Sequence, residues 1–418
     1  MDERAVVTCF LRHQSAVLLS PRSEAVGSYR GRWGAVSGRA EGDPVAAARA
    51  KMREETGLAE EVRLVRRGDP FDVVDGDRGT RWVVHPYMFD CASRAVETDW
   101  ETADHAWVAP TAILYRETVP ESWRSYDAVR PTVSTVAGDD DHGSAYISVR
   151  ALEVLRDEGA AETRLRGGED GWDRLADIAS SLRAARPAMP VVRNRVDRVM
   201  DAASAHRTAR AVEHAAAAGI DEAVHADDRA ATRTARRVAG ARVATLSRSG
   251  TVREALELAD PEAVLVAESR PGKEGVDVAE SLAAGSQVTL ATDAAFAHAI
   301  GEWEADAVLV GADAVLADGS VVNKAGTRAA AMAGTYEGIE VLVAAASDKI
   351  TPDDPDLEER DPTEVHDGER PVDVYNPTFD VTPAECVDAV VTERGILDAD
   401  DVAAVVAGHR ERAKWAEE

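Results

Sequence analysis

Ala307-Val308-Leu309-Val310-Gly311-Ala312-Asp313 is an unbroken apolar run that ends on a carboxylate. A strand buried on both faces reads as a continuous Val/Ala/Leu run, whereas a half-buried strand alternates apolar and polar positions. Short apolar strands are also expected at 242–246, 263–268, 287–291 and 341–345, several of them continuous Val/Ala/Leu runs, with helical stretches between them. Residues 205–418 therefore read as an α/β domain with a doubly wound parallel sheet. Such sheets bind ligands beyond the carboxyl ends of their strands, which puts Asp313 on the ligand edge.

Upstream, residues 143–200 read as helices. The polar stretch 137–143 and the charged stretch 157–171, which holds four Gly, read as linker-like. The first 118 residues have a different character. Five of the eight Trp lie at 33, 82, 100, 107 and 123, and strands are expected at 5–11, 16–19, 82–89 and 105–108. One helix is expected among them. It opens at Asp43-Pro44, an N-cap followed by proline at the first helical position, and stops at Thr56-Gly57. The expected division is 1–118, an α+β domain; 119–204, a bridge and helical part; and 205–418, a Rossmann-like domain.

Net charge is −28, from 76 acidic and 48 basic residues, and only five of the basic residues are Lys. Such a field repels nucleic acid, so generic phosphate-backbone binding is excluded. Acidic excess with scarce Lys is the composition expected of a halophilic archaeal cytoplasm, where salt screens self-repulsion. No apolar run approaches a membrane span, and the amino terminus lacks a signal-peptide layout, so a cytoplasmic protein without membrane partners is expected. Cys9, Cys91 and Cys386 are far apart and read as reduced thiols.

Two constellations carry chemistry. The first is Trp33-Gly34-Ala35-Val36-Ser37-Gly38-Arg39-Ala40-Glu41-Gly42-Asp43-Pro44, continuing to Arg53-Glu54-Glu55-Thr56-Gly57-Leu58. A glycine loop leading into a helix that ends Arg-Glu-Glu-Thr-Gly-Leu resembles the Nudix box. That resemblance, over residues 1–118, implies a Mg²⁺-dependent diphosphate hydrolase. Its metal would be held by clustered carboxylates, here Glu54 and Glu55. In the family an Arg-Glu pair precedes the hydrophobic position that is Met52 here; this chain has Ala50 and Lys51, and its loop is about two residues shorter. Lys51 stands i,i+3 from Glu54 and i,i+4 from Glu55, on one helix face, where its ammonium can replace metal charge. Glu97 and Glu101 are candidate further ligands.

The second constellation is longer. It runs Glu268-Ser269-Arg270-Pro271 and Gly275, Thr292-Asp293, Val310-Gly311-Ala312-Asp313, Val322-Asn323-Lys324-Ala325-Gly326-Thr327, and Asn376-Pro377-Thr378-Phe379-Asp380. Upstream stand Gly143-Ser144-Ala145, Ala185-Arg186-Pro187 and Asn194. From about residue 125 onward this resembles the family of translation initiation factor 2B alpha, beta and delta subunits, ribose-1,5-bisphosphate isomerase and methylthioribose-1-phosphate isomerase. Rare cations beside Gly or Pro turns suit phosphate binding in a chain this acidic. The resemblance implies a phosphosugar site built from Gly143, Arg186, Arg270, Asn323 and Lys324. It also implies that a Cys and an Asp relocate the proton or hydride between C1 and C2. The Asp is Asp313; the Cys position holds Ser247, a far weaker acid, and the usual Gln after the Arg-Pro turn is Glu274. Both changes count against isomerase turnover. The expected partner is a small-molecule nucleotide or sugar phosphate, and a homo-oligomer is expected. A Nudix-type hydrolase joined to a phosphosugar-binding domain is the leading reading. A non-catalytic ligand sensor or an initiation-factor-2B-like regulatory module is the alternative.

Overall fold

The computed structural model describes residues 2–22, 29–58, 62–96, 105–167, 171–353 and 357–417. In space the chain gathers into two compact units, Met1–Thr132 with Glu153–Gly171, and Val133–Leu152 with Trp172–Glu418.

The first unit is built on a mixed sheet. Its strands are β1 (Asp2–His13), β2 (Ala16–Pro21), β3 (Trp33–Gly34), β4 (Val36–Arg39), β5 (Val62–Arg67), β6 (Phe71–Asp75), β7 (Thr80–Cys91) and β8 (Ala106–Val108). They run in the order β3-β2-β1-β7-β5, with β4 also on β1, β6 on β7 and β8 on β2. The central pair, β1 and β7, is parallel. Helix α1 (Pro44–Thr56) has the expected ends. Asp43 accepts from the N–H groups of Val45 and Ala46, and Gly57 closes it in the left-handed region at φ 71°. Ala48 and Met52 of α1 pack with Val7, Cys9 and Leu11 of β1. Alternation along β1 turns Val6 and Thr8 to the other face of the sheet.

The stretch 157–171, expected as a linker-like piece separating two helices, does lie between helices Ser144–Ala161 and Trp172–Arg183, but its start is helical rather than loop. The helix Ser144–Ala161 runs through its start, and a π-helical turn follows at Glu162–Arg166, while 168–170 fall outside the described residues. Its first two charges, Asp157 and Glu158, look solvent-seeking in sequence but are buried in pairs, as are Glu153 and Arg156 just upstream. Arg12 donates to Asp90 at 2.7 Å and to Glu153 at 3.3 Å. Asp157 accepts from Tyr126 at 2.8 Å and from Arg156 at 2.9 Å, and Arg130 reaches Glu158 at 2.5 Å.

The second unit bears out the parallel sheet. Its strands are β9 (Arg242–Thr245), β10 (Ala263–Ala267), β11 (Val288–Ala291), β12 (Ala307–Gly311), β13 (Ala314–Leu316), β14 (Val321–Lys324), β15 (Glu340–Ala344), β16 (Ile350–Thr351), β17 (Phe379–Thr382), β18 (Ala389–Thr392) and β19 (Gly395–Ile396). The main sheet has the order β11-β10-β9-β12-β15-β18-β19 and is parallel from β11 to β18. Alternate residues feed two separate cores. Ala244, Val308, Val310 and Val343 join Phe296, Ala331 and Val405 on one face. Val243, Val266, Leu309 and Leu342 join Val252, Leu256 and Val278 on the other. That two-sided burial is why these strands read as unbroken apolar runs. Strand order reverses between β9 and β12, so the crevice beyond their carboxyl ends is the ligand position of a doubly wound sheet. A small second sheet, β16-β13-β14-β17, was not legible in the sequence.

Candidate functional site

Ser247 follows β9 and Asp313 follows β12, the two strands that flank the reversal. Ser247 has φ 64°, in the left-handed region, and its N–H donates to Ser269 Oγ at 2.8 Å. Ser269, also left-handed at φ 59°, and Arg270 donate their N–H groups to the two carboxylate oxygens of Asp293, at 2.9 and 2.6 Å. Asp293 thus clamps the Arg270-Pro271 turn from the end of β11. Gly275 is required at the close of that turn, because a Cβ there would lie 1.8 Å from the carbonyl oxygen of Ala267. The Arg270 side chain is exposed and its Nε donates to Glu268 at 3.3 Å.

The phosphate cations predicted from sequence are already partnered. Lys324, at the end of β14, is buried and its Nζ donates to Glu274 Oε1 at 2.6 Å. Burial pushes the Glu274 carboxyl up, but the charge and hydrogen bond of Lys324 outweigh it and hold it below its ordinary value. Glu274 Oε2 is buried without a hydrogen-bond partner among the described residues. Asn323 Nδ2 donates to Thr327 Oγ1 at 2.9 Å, which fixes the Gly326 turn. Arg186 is buried. Its guanidinium donates to the carbonyls of Ala137 and Asp139 at 3.3 and 3.0 Å, and to Asp140 and Glu358 at 3.3 Å each. It braces the loop that ends at Gly143, whose carbonyl accepts from Ile147 at 3.1 Å to start the next helix.

Three groups were missed in the sequence. Arg248 donates to the Asp140 carbonyl at 2.6 Å and stands 4.0 Å from Glu274, joining the loop before Gly143 to the Lys324 pair. Lys349 is buried, and its Nζ donates at 2.5 Å to the carbonyl of Ala312, the residue before Asp313. Burial lowers the Lys349 ammonium from its ordinary value, against the pull of Asp313 and Asp227. Asp348 is buried between Arg195, at 3.1 Å, and Arg198. Burial raises its carboxyl, yet the two guanidiniums bring it down to about 2.

In the first unit, Lys51 Nζ meets Glu54 Oε2 at 2.5 Å, as the helix spacing predicts. The Lys51 stem lies on Gly38 of β4, where a Cβ would stand 2.5 Å from Lys51 Cδ. Glu55, on the same helix, is half-buried. Glu97 and Glu101 lie outside the described residues. Among the described residues no group of three or more His, Cys, Asp or Glu side chains converges as a metal set. Glu54 is tied to an ammonium, so this donor set does not suit a hard divalent cation. No helix among the described residues is long and apolar enough to cross a membrane.

Comparison with known proteins bears on both units. Residues 140–399 match the Initiation factor 2 subunit family, and residues 1–129 match the NUDIX domain. Methylthioribose-1-phosphate isomerase of Pseudomonas putida (strain GB-1) is 40% identical over 154 residues, covering 34% of this chain and 43% of that protein. The enzyme of the same name from Xylella fastidiosa (strain M23) is 33% identical over 167 residues, 37% and 47% of the two chains. The chain thus spans about half the length of these curated relatives. Among solved structures, the translation initiation factor eIF-2B of Pyrococcus horikoshii OT3 superposes with a TM-score of 0.56 at 26% identity, over 63% of this chain and 94% of that one. The tetrameric eIF2B-beta2-delta2 complex of C. thermophilum shares the fold, with a TM-score of 0.52 at 22% identity, over 72% of this chain and 98% of that one.

Proposed function

The chain belongs to the Initiation factor 2 subunit family, with a NUDIX domain ahead of the family's α/β domain, and we propose that it works on phosphorylated ribose and nucleotides. The second unit binds a sugar phosphate beyond β9 and β12. Lys324, Asn323, Arg186, Arg270 and the Gly143 loop surround the phosphate, with Ser247 and Asp313 at C1 and C2. What supports this most is that Ser247 and Asp313 follow the two strands flanking the reversal, while Arg248, next to Ser247, stands 4.0 Å from the Glu274 carboxylate that holds Lys324. A serine hydroxyl is a poor acid at neutral pH, so binding outlasts isomerisation here. NUDIX domains generally use divalent metals, typically Mg²⁺. With Lys51 on Glu54, the first unit is a weakened diphosphate hydrolase. A self-associated form is part of this reading, in keeping with the tetrameric complex of the same fold.

Calorimetric titration of the full chain with ribose 5-phosphate and ribose 1,5-bisphosphate in molar KCl tests the second-unit site. The double variant Lys324→Met/Glu274→Gln removes both buried charges together and spares the fold an unpaired ion. It is expected to weaken binding roughly ten- to a hundredfold, the worth of one charge-assisted phosphate contact. Heat from neither sugar, or an unchanged affinity in the variant, sinks the site. For the first unit, Lys51→Glu is expected to raise Mg²⁺-dependent hydrolysis of nucleoside diphosphate derivatives roughly ten- to a hundredfold. Metal ligation responds to its immediate surroundings on that scale. Slower hydrolysis in the variant would make Lys51 a substrate-phosphate ligand instead.

A further inference from the structure

The sheet of the first unit carries a cavity of about 630 Å³ on the face formed by β1, β4, β6 and β7. Val6 and Thr8 of β1 line it, while Val7 and Cys9 pack against α1, so the sheet lies between the cavity and the body of the Nudix-box helix. Arg4, Arg22, Arg39 and Arg78 are among its lining residues, and none of the described lining residues is acidic. In a chain with 76 acidic and 48 basic residues, that is a local inversion of the whole molecule's field.

The arginines differ in what holds them. Arg4 pairs with Asp2 at 2.7 Å, and Arg78 with Asp75 at 3.3 Å, both carboxylates outside the lining. Arg22 donates to Ser37 Oγ at 2.9 Å. Arg39 makes no ion pair among the described residues. Two aromatic rings stand with them. Tyr29 donates to Asp75 at 2.6 Å beneath the Arg78 guanidinium, and Trp82 lies 5.9 Å from that of Arg4. The Trp82 indole N–H is buried without a hydrogen-bond partner among the described residues. A buried donor left unpaired costs free energy, and a ligand acceptor relieves it. Planar rings, an indole N–H left unpaired among the described residues and several guanidiniums in one cavity lining suit a flat, polar base carrying phosphates.

Resting on the reading of the first unit as a nucleotide-binding NUDIX domain, we propose that this cavity binds a nucleoside diphosphate and that its arginines neutralise the phosphates without a divalent cation. Guanidinium forks take up phosphate charge with direct hydrogen bonds, a task that elsewhere falls to a metal. The Lys51–Glu54 pair on the opposite side of the sheet removes the carboxylate set a metal needs, and the cavity offers no carboxylate to replace it.

The test is calorimetry on the full chain with ADP, GDP and UDP, in KCl buffer containing either EDTA or Mg²⁺, with Trp fluorescence as a second readout. At least one diphosphate is expected to bind in EDTA, with a Kd that Mg²⁺ changes by less than about twofold. The matching nucleoside is expected to bind at least about tenfold more weakly, and so is the diphosphate to Arg39→Ala or Arg22→Ala, the loss of one charge-assisted contact. The variant Lys324→Met/Glu274→Gln is expected to keep its diphosphate affinity. Binding seen only with Mg²⁺ overturns the proposal and leaves the NUDIX reading standing. Unchanged affinity in both arginine variants, or loss in the Lys324→Met/Glu274→Gln variant, places the ligand elsewhere and also overturns it. No binding of any diphosphate in either buffer sinks both the proposal and the reading on which it rests.

Discussion

Asp348→Asn is expected to destabilise the second unit by about 3–5 kcal/mol at neutral pH, the scale seen when one partner of a buried ion pair is removed. Asp348 is 2% exposed and lies between Arg195 and Arg198. Arg195 in turn donates to Ser148 Oγ at 2.9 Å and to Asp227 at 3.1 Å, so the loss leaves the Arg195 and Arg198 guanidiniums with one carboxylate fewer between them. The pH dependence identifies the cause. The Asp348 carboxyl titrates at about 2 in the folded chain, against ~3.9 in an unfolded one. Its stabilisation is complete above pH ~4 and is lost as pH falls toward 2, an increment of ~2–3 kcal/mol. The asparagine variant has no such group. Urea unfolding midpoints of the two proteins, measured in molar KCl from pH 7 down to 2, are therefore expected to be far apart at pH 7 and to converge below pH 4. A gap that stays constant with pH would mean that packing, not charge, is what Asp348 supplies.

None of that network is visible along the chain. Arg195 and Asp348 are 153 positions apart, and neither sits in a turn or run that marks it. Asp313 was legible for the opposite reason: it follows an apolar strand long enough to announce itself, and in a doubly wound sheet the residue after such a strand is at the ligand edge, whereas Ser247 was marked only by the resemblance, which puts it at the family's Cys position. The strands that escaped notice are either partly buried or very short. β5 reads Val62-Arg63-Leu64-Val65-Arg66-Arg67 and pairs only with β7 in the sheet order, so three of its side chains are cations and its pattern mixes both periods. β13 and β14 are three and four residues long around the Asp318-Gly319 turn, too short to show a period. The stretch 157–171 misled because local composition reports charge and not pairing. Arg156, just before the stretch, and Asp157 sit in the core at 2% and 0% exposure because Arg156 donates to Asp157 and to the Ser15 carbonyl and Tyr126 donates to Asp157. The same blindness applies at the phosphate site. Sequence placed a cation, Lys324, and an anion, Glu274, near one ligand, but not the bond between them.

That bond determines the larger functional prediction. Glu274→Gln is expected to raise the affinity for ribose phosphates roughly ten- to a hundredfold, equivalent to one charge-assisted contact of ~1.5–3 kcal/mol. In the parent chain the Lys324 ammonium is held by Glu274 Oε1 at 2.6 Å, with Arg248 4.0 Å from the same oxygen. A phosphate entering there must compete for Lys324 and then sit beside a carboxylate that stays ionised, because Lys324 and Arg248 lower its proton affinity. At ~4 Å and an effective dielectric constant of ~20, two unit charges repel by about 4 kcal/mol, more than one hydrogen bond returns. Glutamine keeps the side-chain shape and an acceptor for Lys324 but removes the charge, so the ammonium and the Arg248 guanidinium both become available to phosphate. Without ligand the variant carries a buried, uncompensated ammonium and is expected to unfold at lower temperature than the parent; ribose 1,5-bisphosphate is expected to restore much of that loss, giving a larger ligand-induced Tm rise than in the parent. The opposite result is informative in a specific way. If Glu274→Gln binds ribose phosphates more weakly, the unpartnered Oε2 is the group that matters. Glu274 would then accept from a sugar hydroxyl, and Lys324 would serve to keep that acceptor ionised rather than to hold phosphate.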